Sequence, residues 1–86
     1  MKVRFSKHAE REMARRGISR DIVQGVLAAP AQKVPEHGAI VCYQSIVEMD
    51  QKPYLVRVMV NETAYPPTVV TVVYRTSKIE KYWRAT

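Results

Sequence analysis

The stretch YLVRVMVN, residues 54–61, has the two-residue alternation of a strand that is buried on one side. Valines occupy positions 56, 58 and 60, and Arg57 lies on the opposite side of the strand between Leu55 and Met59. Because an unpaired guanidinium is costly to bury, we expect the valine side to face the core and the Arg57 side to be more open.

Three stretches with this alternation follow Lys33, separated by turn residues. The predicted strands are Ala39–Met49, Tyr54–Asn61 and Thr68–Thr76, and a short strand over Gln32–Val34 would make a fourth. Because the connections are short, we expect an antiparallel meander.

The last predicted strand should repeat the division between two faces. If Val70, Val72 and Tyr74 point into the core, Thr71 and Arg75 share the open face with Arg57.

Two helices are predicted before the strands. Ser6 is a suitable N-cap for a helix over Lys7–Arg16, and Gly17 is a suitable stop. Ser19 caps a second helix, which should end near Ala29 because a proline follows.

The C-terminal stretch SKIEKYW, residues 77–83, indicates one or two helical turns, with its apolar residues spaced three and four apart. The sequence therefore predicts a single α+β domain over residues 1–86. In it, two N-terminal helices pack on a three- to four-stranded curved antiparallel sheet with a short C-terminal helical tail.

Positive charge is concentrated at the two ends of the chain. The formal net charge is +6, and eleven of the fourteen Lys and Arg residues fall within residues 2–20 and 75–84. If the ends meet in the fold, they form one basic face that attracts phosphates. The alternative is a solvated surface that only aids solubility.

The remaining composition argues against other classes of protein. No run reaches the roughly 18 to 20 apolar residues that span a bilayer, and the first residues lack the apolar segment of a signal peptide. Cys42 is the single cysteine, and neither a phosphate-binding glycine loop nor metal-ligand spacing is present. We expect a cytoplasmic protein with no membrane contact, no cofactor and no metal.

Two segments carry a family resemblance: FSKHAEREMARRGIS at residues 5–19 and VVTVVYRTSKIEKYW at residues 69–83, with LAAP and CYQS between them. They resemble the bacterial family named domain of unknown function 4258. The His-Ala pair, the later Met and the Arg-Gly-Ile of that family correspond to His8, Ala9, Met13 and residues 16–18. Many relatives carry an Arg four residues after the His, where this chain has Glu12.

The resemblance implies a fold and an activity. The family is similar to RelE and ParE type toxins, whose helix-helix-sheet layout is shared with barnase-like and colicin-type ribonucleases. Members of that wider group cleave RNA without a metal, and some act on gyrase instead. The implied fold is RelE-like, and the implied activity is that of a toxin.

RNA cleavage without a metal needs a base, an acid and a cation that stabilises the transition state. His8 is the predicted acid or base, because imidazole titrates near neutral pH. Arg57 and Arg75 are the predicted phosphate clamps, and Tyr74 is a predicted proton donor. The alternatives are structural: packing for His8 and Tyr74, and ion pairs with acidic residues at 48 or 62 for the arginines.

Further residues are predicted to contact nucleic acid around this site. They are Arg11, Arg15, Tyr43, Thr76, Ser77, Lys78 and Lys81. His37 is the weaker histidine, because the turn chemistry of its Pro-Glu-His-Gly segment explains its neighbours.

These observations predict a toxin-type, metal-independent endoribonuclease of a toxin-antitoxin system. Its partners would be RNA, in some cases on the ribosome, and a cognate antitoxin protein, with the chain itself a monomer or weak dimer. The alternatives are a non-catalytic nucleic-acid-binding or regulatory module and an inhibitor of a protein target such as gyrase.

Overall fold

A two-residue strand comes first along the described chain, two helices follow it, and four further strands come after them. The structure is a computed structural model that describes residues 2–75 and 79–83. Its elements are β1 (Arg4–Phe5), α1 (Lys7–Arg16), α2 (Arg20–Ala28), β2 (Gln32–Pro35), β3 (Ile40–Met49), β4 (Lys52–Asn61), β5 (Thr68–Arg75) and α3 (Ile79–Tyr82). In the part of the chain that the structure describes, no helix has both the length and the apolar character to cross a membrane.

The predicted sheet is wrong in the number and direction of its strands. The sheet has five strands in the order β1-β5-β4-β3-β2, and it is mixed because β1 pairs with β5 in parallel. Two residues are too few to show a periodicity, so β1 gives no signal in the sequence. Backbone hydrogen bonds hold it in place, such as that from Arg4 N–H to Pro67 C=O at 2.9 Å.

The predicted helical tail is reduced to the single four-residue turn α3, closed by a bond from Trp83 N–H to Ile79 C=O at 2.9 Å. The helical layer therefore consists of α1 and α2. The observed fold is a mixed five-stranded sheet with two helices, and not the predicted RelE-like arrangement.

Serine caps start both helices at the predicted positions. Ser6 Oγ accepts a hydrogen bond from Ala9 N–H at 3.0 Å and donates one to Val70 C=O at 3.1 Å, which ties the start of α1 to β5. Ser19 Oγ accepts from Ile22 N–H at 3.2 Å. The first helix ends at Gly17, whose φ of 69° is left-handed and favours glycine.

The main core lies between the helices and one side of the sheet, which we call the helix face. The valines at 56, 58 and 60 of β4 have no exposed surface and pack there with Tyr43 of β3. Ala9 and Met13 of α1 and Val23 of α2 close this core from above. The side of the sheet that bears Arg57 is the second face, so the predicted division of β4 between two faces is confirmed. The expectation that this side of β4 is open is wrong at its centre, because Leu55 is 0% and Arg57 is 8% exposed.

The side chains of β5 are divided between the two faces differently from the prediction, because the strand contains a β-bulge. Val60 pairs with Val69 and Met59 pairs with Thr71, which leaves Val70 as an extra residue. Val69 and Val72 are both fully buried in the main core, whereas Val70 lines the second face. The prediction that Val70 points into the core is therefore wrong, because the bulge interrupts the alternation.

The bonds of Ser6 lead to a prediction about stability. Ser6→Ala removes a helix cap and the link to β5, so we expect it to lower the free energy of unfolding by about 1 to 2 kcal/mol. Ser19→Ala removes only a cap and should cost about 1 kcal/mol or less. Urea unfolding of the two variants measures the difference, and an equal loss in both would show that the link from Ser6 to Val70 adds nothing.

Candidate functional site

The outward side of α1 carries a row of basic side chains. Ala9 and Met13 turn towards the core, and Lys7, Arg11 and Arg15 recur every four residues on the opposite, exposed side. His8 is exposed beside them. We call the row formed by Lys7, Arg11 and Arg15 the cationic surface.

The acidic residues of α1 form ion pairs with some of its arginines, but not with Arg11 in the middle of the row. Glu12 accepts hydrogen bonds from Arg15 at 2.7 Å and from Arg16 at 3.2 Å. The hydrogen bonds from Arg15, followed by those from Arg16, lower the pKa of Glu12 to about 2, so this carboxylate is charged at neutral pH.

The second carboxylate of this helix, Glu10, also has a partner. It lies 2.8 Å from Arg20, whose guanidinium stacks over the ring of Phe5. Within the described residues, Lys7 and Arg11 make no salt bridge. The uncompensated charge of α1 is therefore centred on these two residues.

A buried polar network lies on the second face around Arg57, which is 8% exposed. Its Nη2 lies 2.5 Å from Glu36 Oε1, and its Nε donates to Gln44 Oε1 at 3.0 Å. The guanidinium also lies over the ring of Tyr82, 4.9 Å from its centre. Arg57 has its carboxylate partner in Glu36, rather than at 48 or 62 as the structural alternative expected.

Gln44 is the centre of this network, because all of its hydrogen-bonding capacity is used. Its Oε1 accepts from Arg57 and, at 3.6 Å, from the thiol of Cys42. Its amide nitrogen donates to Gln32 Oε1 at 2.7 Å and to the carbonyl of Tyr82 at 3.1 Å. Burial raises the pKa of the Cys42 thiol, which keeps it protonated as a donor.

A groove of about 380 Å³ opens on the second face beside this network. It is lined by Glu36, His37, Ile40, Met59, Val70 and Thr71. The tight turn between β2 and β3 presents the first two, with Glu36 N–H bonded to Ile40 C=O and Gly38 in the left-handed region at φ 58°. The groove thus combines an apolar floor with a carboxylate and an imidazole at its edge.

The structure does not bring together the residues predicted to form one active site. His8 lies on α1, which packs on the helix face, whereas Arg57 projects from the second face and is bound to Glu36. Arg75 ends β5 opposite Leu55, and the structure does not describe its side chain or that of Tyr74. His37, the weaker candidate in the sequence, is the histidine that lines a groove together with Glu36, the partner of Arg57.

The predicted nucleic-acid contacts have different positions. Arg11 and Arg15 are exposed on the cationic surface. Tyr43 is only 4% exposed and belongs to the main core, so its ring is not available to stack on a base. Thr76, Ser77 and Lys78 lie outside the described residues, and Lys81 is described only as part of the backbone of α3.

The hydroxyl of Tyr43 has a structural partner. It donates to the carboxylate of Glu62, and Lys33 lies both 3.2 Å from that carboxylate and over the tyrosine ring. The hydrogen bond from Tyr43, together with Lys33, lowers the pKa of Glu62, while burial raises the pKa of Tyr43. This tyrosine is a neutral anchor between β3 and the end of β4.

Sequence reasoning missed Glu36, Gln32 and Gln44. A signal was present, since an arginine on an alternating strand needs an acceptor on the same face of a neighbouring strand. Gln44 is directly opposite Arg57 in the register of β3 and β4. Glu36 follows β2, two strands away from β4, and only the folded turn brings it within reach.

Fold and surfaces together define a small α+β protein with a cationic helix on one side and a groove above a polar network on the other. Residues 5–75 match the family described as Domain of unknown function (DUF4258), and the chain belongs to that family. Neither a curated protein nor a solved structure matches the chain significantly. The resemblance to this family is confirmed. The family match does not connect the chain with RelE or ParE type toxins.

The polar network leads to a second stability prediction. Arg57→Ala removes the charged donor from the buried Gln44 and leaves the partly exposed Glu36 carboxylate unpaired, so we expect a loss of about 2 to 3 kcal/mol in the free energy of unfolding. Glu36→Gln keeps an oxygen that accepts from Arg57 but removes the negative charge opposite it, so it should cost less than Arg57→Ala, about 1 to 2 kcal/mol. Denaturant unfolding measures both variants, and a near-native Arg57→Ala would show that the network does not stabilise the fold.

Proposed function

We propose that this chain binds nucleic acid through the cationic surface of α1. The observation that carries the proposal is that Lys7 and Arg11, two of the three residues of the cationic surface, make no salt bridge with any residue that the structure describes. Phosphates are the ligands that such a row of cations attracts most strongly, since binding releases condensed counterions.

The pattern of charge favours this function over a surface that only aids solubility. A solubilising surface mixes both signs across the helix. On α1, Glu10 and Glu12 flank the row and are bound to arginines, while the middle of the row stays positive. The helix therefore presents a directed positive field.

This proposal predicts the effect of removing the central charges. The double variant Lys7→Ala with Arg11→Ala should bind RNA about tenfold more weakly at low salt, because two phosphate contacts are lost. The slope of log affinity against log salt concentration should fall by about 1 to 2. Fluorescence anisotropy with a labelled oligoribonucleotide over a salt series measures both quantities.

Two further variants test whether position or total charge matters. Lys33→Gln with Lys52→Gln removes the same charge from β2 and the β3–β4 hairpin, and it should leave affinity close to native. Glu12→Gln releases the arginines at 15 and 16 and should tighten binding. Equal weakening in the two double variants would contradict a site on α1, because only the net charge would then matter.

The second candidate is RNA cleavage without a metal, which the groove on the second face favours. Its edge combines the carboxylate of Glu36, the imidazole of His37 and the nearby guanidinium of Arg57. These three groups can serve as base, acid and stabilising cation. The relationship to RelE and ParE type toxins implied by the sequence resemblance belongs to this candidate.

The proposed reaction is a transesterification within the RNA. Glu36 takes the proton of a ribose 2′-hydroxyl, the 2′-oxygen bonds to phosphorus, and the bond from phosphorus to the 5′-oxygen breaks. Protonated His37 gives its proton to that leaving oxygen, while Arg57 balances the charge on the phosphorus centre. The products are a 2′,3′-cyclic phosphate and a free 5′-hydroxyl.

The two histidines provide a matched test of where cleavage takes place. With RNA in the presence of a chelator, we expect His37→Ala to lower the cleavage rate by about 100-fold or more and His8→Ala to leave it unchanged. Loss in His8→Ala alone would instead support the site predicted from the sequence. RNA that stays intact with the native protein would contradict this candidate and leave nucleic-acid binding as the function.

Cellular context follows from the first proposal. A nucleic-acid ligand and a single buried cysteine are consistent with action in the cytoplasm. An antitoxin, if there is one, would cover the cationic surface with an acidic segment. A protein target such as gyrase is the alternative partner, and affinity for protein without affinity for RNA would favour it.

A further inference from the structure

Tyr65 is an exposed aromatic residue without a packing role. Its relative exposure is 102%, whereas Ile46, the other exposed large apolar residue in the described part of the chain, is 47% exposed. A tyrosine ring left wholly in water contributes nothing to the core. Its whole surface is therefore free to contact a ligand.

The loop that carries Tyr65 is held at both ends. Asn61 Oδ1 accepts from the backbone N–H and the hydroxyl of Thr63 at 3.1 and 2.8 Å. Thr68 Oγ1 donates to Pro66 C=O at 3.1 Å, and Arg4 N–H donates to Pro67 C=O at 2.9 Å. Because the two prolines also have fixed φ angles, the ring is presented on a loop with little freedom to lose.

The backbone of β1 lies beside the loop that carries Tyr65. The bond from Arg4 to Pro67 brings β1 against the loop, two residues from Tyr65. Phe5 packs against the main core, so strand alternation places the exposed Arg4 on the other side of β1. Lys7 and the cationic surface begin two residues after β1.

We infer that Tyr65 stacks on an unpaired base, so that the nucleic acid bound by this protein is single-stranded. The inference rests on the proposed binding through α1 and names the class of ligand. Phosphates contact Arg4 and the cationic surface, while a base turned away from the backbone lies on the tyrosine ring. In a duplex the bases are paired and stacked on each other, so none of them can stack on this ring.

The test compares three labelled probes by fluorescence anisotropy: a short oligouridylate, an abasic oligomer of equal length and an RNA duplex. Tyr65→Ala should weaken binding to oligouridylate about tenfold and leave the other two affinities unchanged. Tyr65→Phe keeps the ring and should bind like the native chain. Ile46→Ala is the matched control, since it removes an exposed apolar side chain from β3, and it should have no effect.

The outcomes separate this inference from the proposal on which it rests. Unchanged affinity of Tyr65→Ala for oligouridylate, with weak binding by the Lys7 and Arg11 double variant, would overturn stacking and keep binding through α1. Equal weakening of Tyr65→Ala on all three probes would also overturn stacking, because the tyrosine would then contact the backbone. A native chain that binds none of the probes would overturn both. Thermal unfolding of Tyr65→Ala should match the native chain, because the ring buries no surface.

Discussion

The long antiparallel pairing of β3 with β4 is the constraint on which the other features depend. Ten consecutive residue pairs, from Ile40 with Asn61 to Met49 with Lys52, fix which side chains lie on each side of the sheet. A slip of one residue would turn the opposed residues Gln44 and Arg57 towards different faces. The helical layer, the polar network and the groove all follow from this register.

The fold also sorts the positive charges of the chain into two groups. Arg15, Arg16, Arg20 and Arg57 have carboxylate partners. Lys7 and Arg11 have no such partner among the described residues and are open to a ligand. A formal net charge of +6 therefore says less about binding than the positions of the few acidic residues. For this reason the helix, and not the arginine of the central strand, carries the proposed interface.

Local sequence signals predicted much of the fold. They did not predict features that depend on pairing between strands far apart in the chain. Ser6, Gly17 and Ser19 mark the helix ends because capping is decided within a few residues. The strand β1 and the bulge at Val70 depend on partners far away in the chain, so no short window of sequence contains them.

The candidate site shows the same limit. The sequence indicated that Arg57 needs a partner but not that Glu36 would reach it, and it ranked His8 above His37 because turn chemistry explains the neighbours of His37. Which face of the sheet each histidine occupies depends on tertiary packing, which residue types and spacing do not encode.

The bulge in β5 has a consequence for how the protein can change in evolution. Val70 has no partner in β4, and the residues on either side of it already pair with consecutive positions of that strand. A deletion at this point would leave a regular ladder and preserve the buried valines at 69 and 72. The lining of the groove can therefore lose a side chain through a one-residue length change while the interior stays the same. Elsewhere in β4 and β5, a one-residue deletion would invert every side chain beyond it.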